Sequence, residues 1–376
     1  MLANYKIGKI SFENLVIFLS ILIFTLLIIQ NITPKNINDF YDPARDSVSY
    51  LSLAETLKYN NQFVRAEFID TGVETIRTPI YPLFLSIFLD NLKALIIVQN
   101  VFHVISSIIL YSIIKKFADI KLTLIIFILC LFNPVLISVN QLLITESLSI
   151  FLISLSIYFL LQNNKKYIFF LIVGILPLLR PAFVVLSLGI LLFIKLYKNK
   201  LILKKFLIFC FLLLIPTVGW TVRNYNSTNL YLFSSLSGMN LLEETASGVM
   251  AIDEDLSGNK SFFEIINIEY EERRYWSQVL RNEVELGNVS RVIANAPGPN
   301  PHIVANEYQS YALSILKDNI PELFILTSRS FIYILLEPGD HLLKYVFNLN
   351  NLTAYKLIYT ATNLFLLIFS IKYILK

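Results

Sequence analysis

Long apolar runs divide this chain, and each is close to the length that crosses a bilayer. A hydrocarbon core about 30 Å thick requires about 20 apolar residues per helix. The runs predict about nine transmembrane helices: Asn14–Gln30, Ala94–Ile114, Leu122–Val139, Leu143–Leu161, Tyr167–Leu179, Ala182–Leu196, Leu201–Trp220, Ile320–Leu336 and Tyr355–Ile374. Only 15% of the 376 residues are charged, against about 25% in soluble domains. The chain is therefore predicted to be an all-α polytopic integral membrane protein.

The first apolar run is followed by QNITPK without a small-x-small cleavage pattern, which favours an uncleaved spanning helix over a signal peptide. Lysine and arginine accumulate on the cytoplasmic side of membrane proteins. In the predicted topology one side collects the following lysines: Lys6, Lys9, Lys115, Lys116, Lys121, Lys165, Lys166, Lys195, Lys198, Lys200, Lys204 and Lys205. This side is predicted to be the cytoplasm, and the N-terminus lies there.

Two long polar stretches then face outward, residues 31–93 and 221–319. In the first, Val48, Leu51, Ala54 and Leu57 recur at helical spacing and predict an amphipathic helix over Ser47–Lys58 along the membrane surface. Residues Thr78–Leu89 are too short to span and predict a segment packed under the outer leaflet.

The second outward stretch combines charged helix formers over Phe262–Glu285, the breaker APGPNP and a helical pattern over Ile303–Asp318. It predicts a small helical extracytoplasmic cap. The predicted organisation has three parts. Residues 1–220 form a transmembrane catalytic module that includes the outer loop 31–93. Residues 221–319 form the cap, and residues 320–376 form the C-terminal transmembrane helices.

Two acidic residues stand at predicted outward helix starts. Asp46 precedes the amphipathic helix, where an aspartate can cap free backbone N–H groups and can also serve as a base. Glu146, in LLITESLSIFL, lies at the outer mouth of the fourth apolar run, where an ionisable group is costly unless it faces a cavity or a partner. A simpler explanation is that a glutamate in the first turn of a helix interacts favourably with the helix dipole, which would account for Glu146 without a functional site. Asp42, before a proline, is interpreted as a turn residue.

Four arginines form the cationic set on the predicted outer side: Arg77, Arg180, Arg223 and Arg329. The forked guanidinium binds phosphate oxygens, so several arginines at an outer-leaflet cavity would suit a phosphorylated lipid head group. Interfacial snorkelling is the alternative explanation for Arg77 and Arg223. It fits Arg329 less well, because Arg329 interrupts an apolar run.

Several site classes are not expected. The sequence has no glycine-rich phosphate loop, which argues against a nucleotide site. The two cysteines, Cys130 and Cys210, lie in apolar runs and indicate no disulfide framework. The three histidines lack metal-ligand spacing, so no protein-built zinc site is expected.

An ordered series of motifs resembles the polytopic glycosyltransferases of the GT-C fold, and within them the bacterial relatives of protein O-mannosyltransferases and aminoarabinose transferases. The series covers roughly Asp42–Leu242 and has a weaker echo in ILKDNIPELFILTSRSFIYILLEPG. It reads RDSVSYLSLAETL, IRTPIYPLFLSIF, FNPVLISVNQLLITESLSIFL, ILPLLRPAFVVL and VGWTVRNYNSTNLYLFSSLSGMNLL. The C-terminal portion departs from the family pattern, which leaves acceptor recognition open.

The resemblance implies an inverting transfer of a sugar from a polyprenyl-phosphate donor to a hydroxyl of a glycan, lipid or protein acceptor. It implies Asp46 as catalytic base, Glu146 as a second acidic position of the site, and Arg77, Arg180 and Arg223 as residues lining the donor cavity. Arg329 is added as a possible phosphate contact from its position in the sequence. It also implies a bacterial inner membrane location with the site extracytoplasmic. No cofactor or nucleic-acid partner is expected, and assistance by a divalent metal stays open.

Two other functions remain open at this point. A transporter or flippase for lipid-linked glycans would use the arginines to guide a lipid phosphate, although the chain shows no duplicated halves. A polysaccharide polymerase would combine a large outer loop with arginines.

Overall fold

A computed structural model describes a chain that is helical apart from one short strand pair. The described residues are 6–7, 10–32, 40–41, 46–66, 72–162, 165–197, 203–257, 270–286, 301–336 and 360. The strands are β1, Lys6–Ile7, and β2, Ile10–Ser11, which pair antiparallel. The predicted helical class is confirmed for this part of the chain. Asp42 and nearly all of the ninth apolar run lie outside the described residues.

The chain forms two compact units. Unit 1 comprises Met1–Asn61, Pro79–Pro216 and Leu335–Lys376, and unit 2 comprises Gln62–Thr78 and Thr217–Ile334. The break at Thr217 lies close to the predicted boundary after residue 220. Part of the stretch 31–93 and most of Ile320–Leu336 belong to the same unit as the segment that follows residue 216.

The helices of unit 1 follow the apolar runs. They are α1 Phe12–Ile32, α2 Asp46–Asn60, α3 Ile80–Ser86, α4 Leu92–Ile114, α5 Ile120–Leu131, α6 Pro134–Val139, α7 Glu146–Leu160, α8 Lys166–Leu179 and α9 Phe183–Tyr197. The next helix, α10 Leu203–Thr228, crosses the boundary between the units.

Four segments are long and apolar enough to cross a membrane: Phe12–Gln30, Leu92–Ile114, Ile120–Val139 and Leu207–Thr228. They support an integral membrane protein, but they do not confirm nine spans. The fourth, fifth and sixth apolar runs form shorter helices, Glu146–Leu160, Lys166–Leu179 and Phe183–Leu192. The fourth run shortens because residues 140–145 leave the helical path before α7 begins.

The two short helices predicted between the first and second apolar runs are confirmed as helices, but not in every detail. The amphipathic helix predicted over Ser47–Lys58 is α2, yet its buried face carries Ser47, Tyr50, Leu53 and Ala54, while Val48 is exposed. Helix α3 fulfils the prediction of a segment too short to span and begins after Pro79. Its Tyr81 is fully buried, so α3 packs into the protein.

The core of unit 1 is built from apolar side chains of α1 to α10, and Leu85, Leu95, Phe127 and Leu131 are fully buried. Helices α8 and α10 approach so closely that a Cβ on Gly174 would lie 2.1 Å from the backbone oxygen of Leu212. Small residues allow this kind of close backbone packing between membrane helices.

We expect Gly174→Ala to destabilise the protein by about 1–3 kcal/mol or more, because the added methyl group meets backbone that cannot rotate away. Gly189→Ala in α9 is the matched control, since a Cβ there meets nothing within 4 Å. Thermal unfolding in detergent should show a lower Tm only for the first variant. Equal Tm values would contradict the close approach of α8 and α10.

Unit 2 contains the C-terminal part of α10 and a group of shorter helices. They are α11 Leu236–Asn240, a π-helical segment Leu241–Ala246, α12 Ser247–Ser257, α13 Tyr270–Leu286, α14 Pro301–Asp318 and α15 Ile320–Leu336. Tyr308, Leu242 and Ala312 are fully buried in its core. The helical character predicted for 221–319 is thus confirmed over the described residues.

Polar contacts explain why part of the first loop belongs to unit 2. The hydroxyls of Thr75 and Ser235 lie 2.6 Å apart, and the Ser235 N–H donates to the Thr75 carbonyl at 2.9 Å. Ser234 Oγ donates to the Ile76 carbonyl at 2.7 Å. Thr75 and Ile76 are therefore tied to the turn before α11.

Candidate active site

The candidate site of unit 1 rests on one buried side chain, Gln99 of α4. Its Oε1 accepts a hydrogen bond from Tyr81 Oη at 3.0 Å, and its Nε2 donates to the carbonyls of Asn140 and Leu142 at 3.0 and 2.9 Å. Its backbone carbonyl accepts from Ser147 Oγ at 3.1 Å. Gln99 thereby joins α3, α4, the segment before α7 and the first turn of α7.

These bonds permit a non-helical segment inside an apolar bundle. Residues 140–145 are turns and bends, and Asn140, Gln141 and Leu142 are all nearly or fully buried. Backbone groups without helical partners are tolerated in a membrane protein only where other protein groups satisfy them. The amide of Gln99 does so for two carbonyls, and this sets where α7 begins.

We expect Gln99→Leu to destabilise the protein by about 3 kcal/mol, because it removes the side-chain N–H donors that bond to two buried carbonyls and the oxygen that accepts from Tyr81. Ser112→Ala in the same helix is the control, since the Ser112 hydroxyl bonds only within α4, to Ile108. Thermal unfolding of both variants in detergent measures the difference. An unchanged Tm for Gln99→Leu would show that residues 140–145 are held by other contacts.

The predicted acidic residue Glu146 is the first residue of α7, and the structure pairs it with a predicted arginine. Arg180 Nη1 donates to Glu146 Oε1 at 2.6 Å. The two side chains are 45% and 31% exposed, so the pair is open to solvent or ligand. Arg180 ends α8 in extended backbone, before Pro181. An ion pair this exposed contributes at most about 1 kcal/mol to stability, so it is weak evidence for a purely structural role.

The predicted base, Asp46, is the first residue of α2 and is half-buried. One turn later Tyr50 packs edge-on against Tyr81 with ring centroids 5.0 Å apart, and Tyr81 bonds to Gln99. Before α2, the Phe40 carbonyl accepts from Leu143 N at 2.9 Å. Both contacts place the starts of α2 and α7 at the same end of unit 1.

The opposite end of unit 1 carries lysines. Lys115, just after α4, forms an ion pair with Glu13 at the start of α1. Helix α4 has 23 residues and is therefore about 35 Å long. Helices α7 and α8 reverse direction near Lys165 and Lys166. Asp46, Glu146 and Arg180 thus share one end, and these lysines lie at the other.

A second cluster, in unit 2, surrounds Glu74. Its carboxylate is 1% exposed, and Oε2 lies 2.9 Å from Arg65 Nε, whose side chain is 5% exposed. Oε1 accepts from the backbone N–H groups of Ile76 and Arg77 at 2.6 and 2.9 Å. A buried carboxylate requires such compensation.

Arg223, predicted as a phosphate contact, joins the same cluster. Its Nη1 donates to the Glu74 carbonyl at 2.6 Å and to Asn224 Oδ1 at 2.9 Å, and its Nη2 donates to the Phe63 carbonyl at 3.4 Å. The guanidinium carbon lies 4.8 Å from the Trp220 ring centroid and 5.5 Å from that of Phe63. These contacts give Arg223 a clear structural role that the sequence did not predict.

The structure describes the four predicted arginines in two different units. In unit 2 the Arg77 backbone N–H and the Arg223 side chain both donate to Glu74, and in unit 1 Arg180 pairs with Glu146. Arg329 is half-buried in the middle of α15.

Sequence reasoning missed Gln99, Arg65 and Glu74. Gln99 could have been recognised in the sequence, because a side-chain amide inside the apolar run ALIIVQNVFHV is costly unless it has hydrogen-bond partners. Arg65 and Glu74 could not have been found this way, since nothing in the sequence of this loop indicates that residues nine apart will pair.

Unit 2 also holds a pair of glutamates on its π-helical segment. Glu243 Oε1 lies 3.0 Å from Arg281 Nη2, and Glu244 Oε2 lies 2.7 Å from Arg273 Nη1. Burial raises the pKa of Glu243 above the usual glutamate value, although Arg281 opposes the shift. Glu243 therefore binds a proton more readily in the folded protein than in the unfolded chain.

Because its pKa is raised in the folded protein, Glu243 adds to the free energy of unfolding at low pH. This contribution is fully present below the ordinary glutamate pKa, and it is lost as the pH rises through the pKa of Glu243 in the folded protein. Glu243→Gln should remove that component, so its Tm should vary less between about pH 4 and pH 8 than that of the wild type. Glu244→Gln is the control, because Glu244 is largely exposed. Identical pH profiles for wild type and Glu243→Gln would contradict the assignment.

No group of three or more His, Cys, Asp or Glu side chains that could hold a metal occurs among the described residues. Searches of family models, curated proteins and solved structures find no match to this chain.

Proposed function

We propose that this chain is an inverting glycosyltransferase that moves a sugar from a polyprenyl-phosphate donor to an acceptor hydroxyl on the extracytoplasmic side of a membrane. The observation that carries the proposal is the arrangement of unit 1. Asp46, Glu146 and Arg180 share one end of an apolar helical bundle, and Glu146 and Arg180 are in contact. The GT-C-like motif series supplies the reaction class.

The proposed orientation follows from the two ends of unit 1. Lys115, Lys165 and Lys166 lie opposite Asp46, and lysine accumulates on the cytoplasmic side. The acidic end is then extracytoplasmic, which in a bacterium is the outer face of the inner membrane.

In the proposed reaction Asp46 accepts the proton of the acceptor hydroxyl as its oxygen attacks the anomeric carbon. The bond between that carbon and the phosphate oxygen breaks, and polyprenyl phosphate leaves with the bonding electrons. Attack from the side opposite the phosphate inverts the anomeric centre. A carboxylate base and a phosphate leaving group need no cofactor for this step.

The proposed cations stabilise the departing phosphate. A guanidinium has five N–H donors, and the bond to Glu146 uses one of those on Arg180. Glu146 holds Arg180 in place and is the second acidic residue of the site. Arg77, Arg223 and Arg329 remain predictions of phosphate contacts made from the sequence, and Arg223 also binds two backbone carbonyls.

We expect Asp46→Asn to lower turnover of a polyprenyl-phosphate sugar by about 10²–10⁴-fold, because the amide cannot accept the acceptor proton. The measurement uses purified protein in nanodiscs with a panel of radiolabelled polyprenyl-phosphate monosaccharides, and it follows release of polyprenyl phosphate. Asp90→Asn is the matched control, since Asp90 is exposed and pairs only with surface groups, Lys58 and Tyr59.

Two outcomes would count against the proposal. Wild-type turnover by Asp46→Asn would remove Asp46 as the base. Movement of lipid-linked sugar between leaflets of proteoliposomes, without turnover of any donor by the wild type, would favour a transporter.

A further inference from the structure

The ion pair of Glu146 and Arg180 lies well below the acidic end of α4. Ser147, the second residue of α7, donates to the backbone carbonyl of Gln99 at 3.1 Å, so the first turn of α7 lies level with Gln99. Helix α4 begins seven residues earlier, at Leu92. At a rise of about 1.5 Å per residue, the pair lies about 10 Å below the start of α4.

The lengths of α7 and α8 give a similar depth. These helices have 15 and 14 residues and are therefore about 22 and 21 Å long. The hydrocarbon core of a bilayer is about 30 Å thick. With Lys165 and Lys166 at one edge of this core, Glu146 and Arg180 lie roughly 8 Å inside its other edge. Helix α4 of the same unit, in contrast, is long enough to cross the whole core.

Charged side chains at this depth are costly unless polar groups surround them. The side chains of Arg180 and Glu146 are 45% and 31% exposed, so the protein covers only part of them. An arginine can often extend its side chain toward water. Here the bond from Arg180 Nη1 to Glu146 Oε1, at 2.6 Å, holds the guanidinium beside the first turn of α7. Polar groups from outside the protein must therefore reach the pair.

The surface that follows Arg180 is apolar and open to lipid. On α9, Val185, Leu188 and Leu192 recur at helical spacing and are all exposed. An exposed apolar face of this kind indicates contact with the membrane. Ala182, in the turn between Arg180 and α9, is also exposed. The polar groups that reach Arg180 from this side are therefore lipid head groups.

We propose that the lipid leaflet at the acidic end of unit 1 is locally thinned around α7, α8 and α9, and that phosphate groups of its lipids lie at the level of Arg180. A bilayer thins around apolar segments that are shorter than its core. A guanidinium binds phosphate oxygens through charge-assisted hydrogen bonds. Both effects draw head groups toward Arg180. The inference does not depend on the proposed reaction, because any phospholipid carries the required phosphate.

Depth-dependent fluorescence quenching tests the proposal on the full chain in vesicles of dioleoylphosphatidylcholine. Cys130 and Cys210 are first replaced by alanine. One fluorophore is then attached through Ala182→Cys or, as the matched control, through Ile97→Cys in α4. Both positions are exposed. Ile97 lies about 3 Å nearer to the acidic end than Gln99 does, so a leaflet of uniform thickness would give both positions a similar depth.

We expect a nitroxide on the lipid head group to quench the fluorophore at position 182 severalfold more than a nitroxide in the middle of the acyl chain does. Position 97 should show the reverse. Stronger quenching by the chain nitroxide at both positions would overturn the proposal, because head groups would not reach Arg180. Stronger quenching by the head-group nitroxide at both would also overturn it, because the thinning would not be local.

Two further results separate thinning from a water-filled recess in the protein. A fluorophore at position 182 that neither nitroxide quenches would show that lipid is excluded there, and the proposal would be wrong. In dimyristoylphosphatidylcholine the core is thinner and closer to the length of α8, so the two positions should become more alike in depth. A difference that does not change with the lipid would contradict thinning.

Discussion

The buried amide of Gln99 is the interaction on which the arrangement of unit 1 depends. It satisfies two carbonyls of a segment that is not helical, and it bonds to Tyr81 of the short helix α3. Without it, residues 140–145 would hold unpaired backbone groups in an apolar bundle, which costs several kcal/mol in a membrane. Because the segment is fixed, α7 starts at Glu146 and reaches Arg180.

The arginines of this chain make structural contacts within the protein, in addition to the ligand contacts proposed for some of them. Arg65 neutralises a buried carboxylate, Arg223 binds two backbone carbonyls beside two aromatic rings, and Arg180 binds Glu146. Such contacts hold a guanidinium in one orientation, which lowers the entropic cost of binding a phosphate with its remaining donors. In this view the structural and proposed functional roles of Arg180 and Arg223 are compatible.

The candidate site could be predicted only in part. Asp46 and Glu146 were identifiable because a carboxylate beside an apolar run indicates a helix start or a site, and both residues do begin helices. The pairing of Glu146 with Arg180 could not be predicted, because it joins residues 34 apart through the reversal between α7 and α8. The buried face of α2 was misplaced, because Ser47 packs inward while Val48 does not.

The sequence by itself determined that this protein is helical and apolar enough for a membrane, and approximately where its helices lie. Those properties follow from the composition and length of each apolar run, which can be determined for one segment independently of the segments that pack against it. Only the tertiary structure decided which polar groups meet: Gln99 with two carbonyls, Arg180 with Glu146, and the Arg223 side chain with the Glu74 carbonyl. The physical reason is that a buried polar group must find a partner wherever the fold brings one, and that partner can be distant in sequence.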